Sequence, residues 1–116
     1  MVEKITVHEA VLLATKALAC ALRHRDSYTQ LHSDRVVKIS LDIGKRLKLS
    51  EMELEVLKIS AQLHDIGKIG IDDSILLKAS RFEPDEWEFM KTHAIIGSNI
   101  VKCLDFDESD QVAEII

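Results

Sequence analysis

Breaks in backbone regularity are scarce in this chain, and that scarcity limits the folds open to it. The 116 residues include one proline and four glycines, and no segment alternates apolar and polar residues for long. Apolar residues recur instead at spacings of three and four, the period of an amphipathic helix. The sequence therefore predicts an all-α fold, a bundle of about five to six helices, in one domain spanning residues 1–116.

The first two helices are predicted from their apolar stripes. One runs from about His8 to Arg25, and the next follows a cap at Ser27 or Thr29. The predicted buried face of the first helix is Ala10, Leu13, Ala17, Cys20 and Ala21. That of the second helix is Val36, Ile39, Ile43 and Leu47.

A capping box marks the third helix. Ser50 is followed three residues later by Glu53, the pattern in which each side chain bonds the other's backbone N–H. Gly67 is placed to end this helix in a left-handed conformation. The predicted inner face is Leu54, Leu57, Ala61 and His64.

The second half of the chain is predicted to contain one short turn and two helices. Asp72 or Asp73 caps a turn through Ile75 to Leu77, and Pro84 opens a long helix. Its inner positions are Trp87, Met90, Ala94, Gly97 and Val101, with Gly97 allowing close packing. A last helix from about Glu108 leaves three apolar residues without a partner, which suggests a homodimer through the C-terminal helix: Val112, Ile115 and Ile116.

Composition narrows the class of protein. Hydrophobic residues make up 47% of the chain and charged residues 30%, as in ordinary globular proteins. No apolar run approaches the roughly 18 residues of a membrane helix, and the N-terminus lacks a signal-peptide layout. The net charge of −5 argues against a surface that coats DNA. Cys20 and Cys103 lie in apolar helical contexts, which predicts two buried, reduced thiols and a cytoplasmic location.

Three of the five histidines fall on predicted helices in the middle of the chain. His32 and His64 are 32 residues apart, and His64 and His93 are 29 apart, each about one helix and a return connection. Neighbouring helices could therefore bring three imidazoles to one point, as helical bundles do at metal sites. Asp65 adds a carboxylate beside His64, and a turn at Gly67 would let both adjacent side chains reach one ion.

The residue types suit a divalent transition metal. Imidazole nitrogens with a carboxylate oxygen favour manganese, iron, cobalt, nickel or zinc, and no cysteine joins the set. A carboxylate can also bridge two ions, which then activate water and clamp a phosphoryl group. Lys68, one turn after His64, could neutralise a phosphate oxygen as charge builds up.

Structural readings of the same residues stay open. His64 and Asp65 can be a satisfied helix end, and His93 can merely flank Met90 in the core. His8 and His24 are interpreted as surface residues. Three further side chains can also be ordinary surface groups: His32, Arg35 and Lys68.

Three segments together resemble the HD-GYP branch of the HD-domain phosphohydrolases. They are YTQLHSDRV (residues 28–36), LHDIGKIGIDDSILLK (63–78) and EWEFMKTHAIIGSNIV (86–101). They occur in the family's order and with family-like spacing, from Asp26 onward. The resemblance implies an HD-domain helical bundle acting in signal transduction. It also implies a metal-dependent phosphodiesterase that opens cyclic di-GMP to a linear dinucleotide or GMP.

The resemblance also implies roles for individual residues. Asp65 would bridge two ions, and Lys68 matches the lysine that contacts the scissile phosphate, so these two are the implied catalytic residues. Arg35 would be a structural helper near the site. Tyr28 stands where some relatives carry an acid for a third ion, so two metals at most are implied. The metal ligands implied by position are His32, His64, Asp65 and His93.

The sequence departs from the family pattern in two ways. A paired-histidine motif, a GYP loop and a further metal-binding aspartate do not occur before Ile116, which predicts an incomplete domain with weak or no activity. Asp72 replaces a usual proline, and Ala79-Ser80 a usual Pro-Gly, so the connector is predicted to be less rigid. Two alternatives stay open: a non-catalytic HD module for signalling or dimerisation, and an HD hydrolase of another nucleotide phosphoester.

Overall fold

The computed structural model describes residues 7–25 and 29–116, with side chains described for 9–25 and 32–116. These ranges contain no strand, which confirms the all-α prediction, and six of the α-helices have seven or more residues. In chain order the elements are α1 (Val7–Arg25), α2 (Thr29–Arg46), α3 (Glu51–Leu63), a 3-10 helix (Ile66–Gly70), α4 (Asp73–Leu76), α5 (Pro84–Lys91), α6 (His93–Leu104) and α7 (Ser109–Ile115).

Helix α1 buries a different face from the predicted one. Its inner positions include Val11, Thr15 and Leu22. Thr15 is buried without leaving its hydroxyl unpaired, because the hydroxyl donates to the carbonyl of Val11, 2.8 Å away. The prediction was wrong because apolar residues occupy more than one side of this helix. All residues of the predicted stripe are exposed: Ala10, Leu13, Ala17, Cys20 and Ala21.

Helix α2 is also turned away from its predicted orientation. Ile39, Ile43 and Leu47 are 58%, 54% and 68% exposed, so the predicted stripe is wrong beyond the half-buried Val36. Gly44 is buried instead, and a Cβ built on it would lie 2.9 Å from side-chain carbons of α3, on Leu54 and Leu57. The small residue allows α2 to approach α3 closely. Of the two predicted caps, Thr29 is the first helical residue and Ser27 lies outside the described residues.

Helix α3 begins at the predicted capping box. The Ser50 hydroxyl accepts from the Glu53 N–H at 3.1 Å, and the Glu53 carboxylate accepts from the Ser50 N–H at 3.0 Å. The helix then enters a core shared with α1, α6 and α7. The buried members of that core are Val11, Leu22, Val56, Ile59, Leu63, Ile66, Val101, Phe106, Val112 and Ala113.

The end of α3 differs from the prediction. His64 remains right-handed (φ −59°, ψ −29°), and no described glycine has a positive φ, so a left-handed cap at Gly67 is wrong. The chain changes direction at Asp65 (φ −104°, ψ 5°), where the 3-10 helix begins. Gly67 serves close packing instead. A Cβ on it would lie 1.7 Å from the His93 carbonyl oxygen and 2.6 Å from the Gly97 nitrogen.

The long helix predicted after Pro84 is two helices. Pro84 opens α5 as predicted, but the helix stops at Lys91, and α6 begins at His93 after a junction at Thr92. Gly97 is buried, and a Cβ on it would lie 3.3 Å from the Gly67 nitrogen, which confirms its predicted packing role.

The connector before α5 follows the prediction in part. Asp72 caps α4, since its carboxylate accepts from the Ser74 N–H at 2.9 Å. Lys78 pairs with Glu86, which ties the end of this connector to the first turn of α5. An ion pair therefore links the end of the connector to α5, and the lower rigidity of the connector stays a prediction.

The C-terminal helix has fewer free apolar residues than predicted. Val112 is fully buried and Ile116 packs against the core, so only Ile115 of the predicted trio is exposed. The homodimer stays a prediction. The predicted burial of the thiols was wrong, because Cys20 and Cys103 are both exposed and free. Within the described residues, no helix combines the length and apolar character needed to cross a membrane.

Candidate metal centre

The centre of the site is Asp65, a carboxylate at the junction between α3 and the 3-10 helix. The residue is only 7% exposed. On a continuous α-helix, adjacent side chains diverge by roughly 100° and would not meet. The change of helix type at Asp65 removes that limit, and Asp65 Oδ2 lies 3.1 Å from His64 Nε2.

Three basic side chains surround the two oxygens of Asp65. Oδ2 faces His64 and also Lys68, whose Nζ is 3.5 Å away. Oδ1 faces His93, the first residue of α6, whose Nε2 is 3.6 Å away. Each carboxylate oxygen therefore has an imidazole of its own, the arrangement that a bridging carboxylate requires.

Backbone hydrogen bonds fix the two imidazoles. His64 Nδ1 lies 2.7 Å from the carbonyl oxygen of Ala61, and His93 Nδ1 lies 2.7 Å from that of Met90. A carbonyl can only accept, so Nδ1 carries the proton in both rings and, in the neutral ring, Nε2 keeps its lone pair. In metalloproteins, a hydrogen bond of this kind, made by the ring nitrogen that does not bind the metal, orients the ligating histidine.

His32 approaches the same point from α2. Its ring centroid is 5.6 Å from that of His64, with the planes tilted by 59°. His32, His64 and Asp65 each have one atom able to bind a metal, and these three atoms lie within 4.8 Å of one another. His93 is not part of that triplet, but it reaches Asp65 from the opposite side. The donor chemistry and the fixed tautomers fit a divalent transition metal.

The charge state of Asp65 follows from its surroundings. Burial raises its pKa, but the hydrogen bond with His64 and the positive charges of His64, Lys68 and His93 outweigh burial and lower the pKa to about 2. The same hydrogen bond raises the pKa of His64 against the opposing effect of burial. Asp65 is therefore an anion at any physiological pH, as a metal ligand must be.

We predict that the metal-free chain loses folding stability in acid as Asp65 becomes protonated. Because folding lowers the pKa of Asp65 from 3.8 to about 2, its contribution is complete above pH 3.8 and is lost as the pH falls towards 2. Allowing for solvent screening, we expect a loss of roughly 1 to 2 kcal/mol in the free energy of unfolding. Urea unfolding of the wild-type and Asp65→Asn chains at pH 5 and pH 2.5 measures it.

The stability difference between these two chains should narrow at the lower pH. Asp110→Asn, a change at an exposed aspartate of α7, is the control and should keep the same difference from wild type at both pH values. Parallel pH dependence of the wild-type and Asp65→Asn chains would contradict the prediction.

The remaining predicted residues are exposed or lie outside the described residues, and the supporting role expected of Arg35 stays a prediction. Arg35 is exposed on α2, and His24 is exposed near the end of α1, as expected of a surface residue. Tyr28 lies outside the described residues, as does the side chain of His8. Sequence reasoning missed the carbonyls of Ala61 and Met90, because a backbone acceptor leaves no mark in the residue types.

Comparison with known proteins identifies the family of this chain. Residues 29–116 match the HD domain family. The chain belongs to the HD domain family. The match includes all four predicted metal ligands and leaves α1 outside it.

Three curated relatives of this HD domain are informative. A cyclic di-GMP phosphodiesterase of Thermotoga maritima is 44% identical over 78 residues, which are 67% of this chain and 21% of the relative. The cyclic di-GMP phosphodiesterase response regulator RpfG of Xanthomonas campestris is 38% identical over 84 residues (72% and 22%). A 3′3′-cGAMP-specific phosphodiesterase 2 of Vibrio cholerae is 34% identical over 84 residues (72% and 16%). These matches confirm the resemblance to the HD-GYP phosphohydrolases, and the chain spans about a fifth of the length of these relatives.

Proposed function

We propose that this HD domain is a metal-dependent phosphohydrolase that cleaves the phosphodiester of a cyclic dinucleotide, with cyclic di-GMP as the first candidate. The observation that carries the proposal is the buried Asp65, which has His64 Nε2 near one oxygen and His93 Nε2 near the other. The names of the relatives, two of which specify cyclic di-GMP, support the substrate class.

The proposed metal ligands are His32, His64, Asp65 and His93. Asp65 supplies the negative charge, and the histidines supply imidazole nitrogens, with Nε2 of His64 and Nε2 of His93 facing its two oxygens. A divalent ion held there supplies Lewis acidity and lowers the pKa of water towards neutrality. Manganese, iron, cobalt, nickel and zinc all suit this mixed set of nitrogen and oxygen donors.

Lys68 is the proposed phosphate contact. Its Nζ lies 3.5 Å from Asp65 Oδ2, and its side chain is 23% exposed, so the ammonium sits at the rim of the centre. A positive charge in this position favours a phosphoryl oxygen as negative charge develops on it. The role we propose for Lys68 is electrostatic, and it requires no change in its protonation.

We also propose that α1 and the matched residues form one domain in a reducing, cytoplasmic setting. The core supports the first point, because Val11 and Leu22 of α1 are buried with Val56 and Val101. The second is supported by Cys20 and Cys103, which are exposed and free, as is usual where thiols stay reduced.

The test is a single-turnover assay of this chain in excess over cyclic di-GMP, with manganese and with chelator, read by chromatography. We expect slow, metal-dependent formation of the linear dinucleotide or GMP. Replacing Lys68 by alanine should slow it by about 100-fold, as loss of one electrostatic contact to the transition state does. Lys102→Ala, a change at an exposed lysine of α6, is the control and should cleave at the wild-type rate.

Other outcomes point to the alternatives. Cleavage of 3′3′-cGAMP but not of cyclic di-GMP would move the substrate to that of the Vibrio cholerae relative. Metal binding without cleavage of either compound would favour a non-catalytic HD module. The exposed Ile39, Ile43 and Leu47 of α2 would then be the first surface to examine for a partner.

A further inference from the structure

Arg25, the last residue of α1, reaches across to the segment that follows the metal centre. Its guanidinium donates to the carbonyl oxygens of Ile69 and Ile71, the latter at 2.8 Å, and to the carboxylate of Asp73. The partners are 44 to 48 residues away in sequence. One side chain therefore joins the end of α1 to three points between Ile69 and Asp73.

The acceptors lie at a part of the backbone that needs partners. The last carbonyls of a helix have no intrahelical donor, and Ile69 and Ile71 are at the end of the 3-10 helix. The planar guanidinium offers several N–H groups in a fixed fork, so it can satisfy two carbonyls and a carboxylate together. A lysine offers one nitrogen and cannot hold the same three groups in this geometry.

The held segment carries the proposed catalytic residues. Asp65 precedes the 3-10 helix and Lys68 lies within it, joined by the bond from the Lys68 N–H to the Asp65 carbonyl, 3.0 Å. The Ile71 N–H in turn donates to the Lys68 carbonyl at 3.0 Å. Any shift of Ile71 is therefore passed directly to the backbone of Lys68.

Helix α1 also contacts the start of the 3-10 helix. Leu22 and Ile66 are buried in the same core and line one cavity of about 310 Å³. The 3-10 helix is thus held at its beginning by apolar packing and at its end by Arg25. Helix α1 lies outside the residues that match the HD domain family.

We propose that Arg25 is a positioning residue that holds the Asp65–Lys68 segment in place for metal and phosphate, so that α1 is part of the working site. The role in metal and phosphate binding rests on the function proposed above. The mechanical part does not, because it concerns hydrogen bonds within the chain. The two parts can be measured separately.

The mechanical part is tested by hydrogen exchange on the metal-free chain. In Arg25→Ala, the amides of Lys68 and Ile71 should exchange about tenfold faster or more, as local opening becomes easier. Arg25→Lys should resemble Arg25→Ala, since charge alone does not restore the fork. Arg46→Ala, which changes the exposed arginine that ends α2, is the matched control and should leave both amides unchanged.

The functional part is tested by cobalt titration of the same four chains. Arg25→Ala and Arg25→Lys should bind Co²⁺ about tenfold more weakly than wild type, the size of effect typical of a lost supporting contact. Unchanged exchange of the two amides overturns the proposal. Faster exchange with unchanged cobalt affinity also overturns it, because Arg25 would then be only structural. If the wild-type chain fails to bind cobalt, the proposed function fails, and the exchange data still decide whether Arg25 holds the segment.

Discussion

The Asp65→Asn chain is expected to bind manganese or zinc at least about 100-fold more weakly than wild type. Asparagine keeps the shape of the side chain but removes the negative charge. That charge is the element shared by the contacts to His64 Nε2 at 3.1 Å and His93 Nε2 at 3.6 Å. Without it, neutral imidazoles alone would have to hold a divalent cation in a partly buried position. Isothermal titration of the purified, chelator-treated chains measures the difference.

One control and one comparison make this result specific. Asp110→Asn removes an exposed carboxylate from α7 and should leave the affinity unchanged. His32→Ala should weaken binding less than Asp65→Asn, because it removes one imidazole at an exposed position on α2 and leaves the buried carboxylate in place. Equal metal affinity in the wild-type and Asp65→Asn chains would mean that the ion binds elsewhere.

Replacing Gly67 with alanine should destabilise the chain by about 3 kcal/mol or more. The added Cβ would lie 1.7 Å from the His93 carbonyl oxygen and 2.6 Å from the Gly97 nitrogen. Both are main-chain atoms, so a rotamer change cannot relieve the overlap, and the 3-10 helix must move away from α6. Urea unfolding of the metal-free chain measures the loss of stability.

The control is the corresponding change at another buried glycine. A Cβ on Gly44 would lie 2.9 Å from Leu54 and Leu57, but these are the ends of flexible side chains. Alanine also favours the helix, so Gly44→Ala should change the free energy of unfolding by less than about 1 kcal/mol. A Gly67→Ala chain as stable as wild type would show that α6 and the 3-10 helix can separate freely.

Local signals in the sequence predicted much of the fold. The capping box at Ser50, the cap at Asp72 and the start of α5 at Pro84 each depend on a few neighbouring residues, and all were confirmed. The break at Thr92 was not predicted, because no glycine or proline marks it. The Thr92 hydroxyl donates to the carbonyl of Phe89, and this hydrogen bond could not be predicted from the sequence.

Buried faces were harder to predict than helix positions. In α1 the apolar Leu13 is exposed while the polar Thr15 is buried, so hydrophobicity pointed to the wrong side. Helix α2 approaches α3 closely at Gly44, and a glycine has no side chain that a hydrophobicity pattern could detect. Which side of a helix is buried depends on its neighbours, and a single helix does not contain that information.

The composition of the site was easier to predict than its support. The spacing of His32, His64 and His93 suggested that three helices meet, and the structure brings all three near Asp65. Their role as metal ligands stays a prediction. Arg25 carried no signal, since its partners, two backbone carbonyls and the carboxylate of Asp73, are more than 40 residues away in sequence.

The close contact of Gly67 with α6 has a consequence for how such domains can diverge. The distance between the Asp65 half of the centre and the His93 half is set where main-chain atoms touch, with no side chain between them. Mutations in the surrounding core can therefore change volume and stability while the spacing of the ligands is retained. Sequence divergence around the site should therefore leave this spacing unchanged as long as Gly67 and the Arg25 hydrogen bonds are retained.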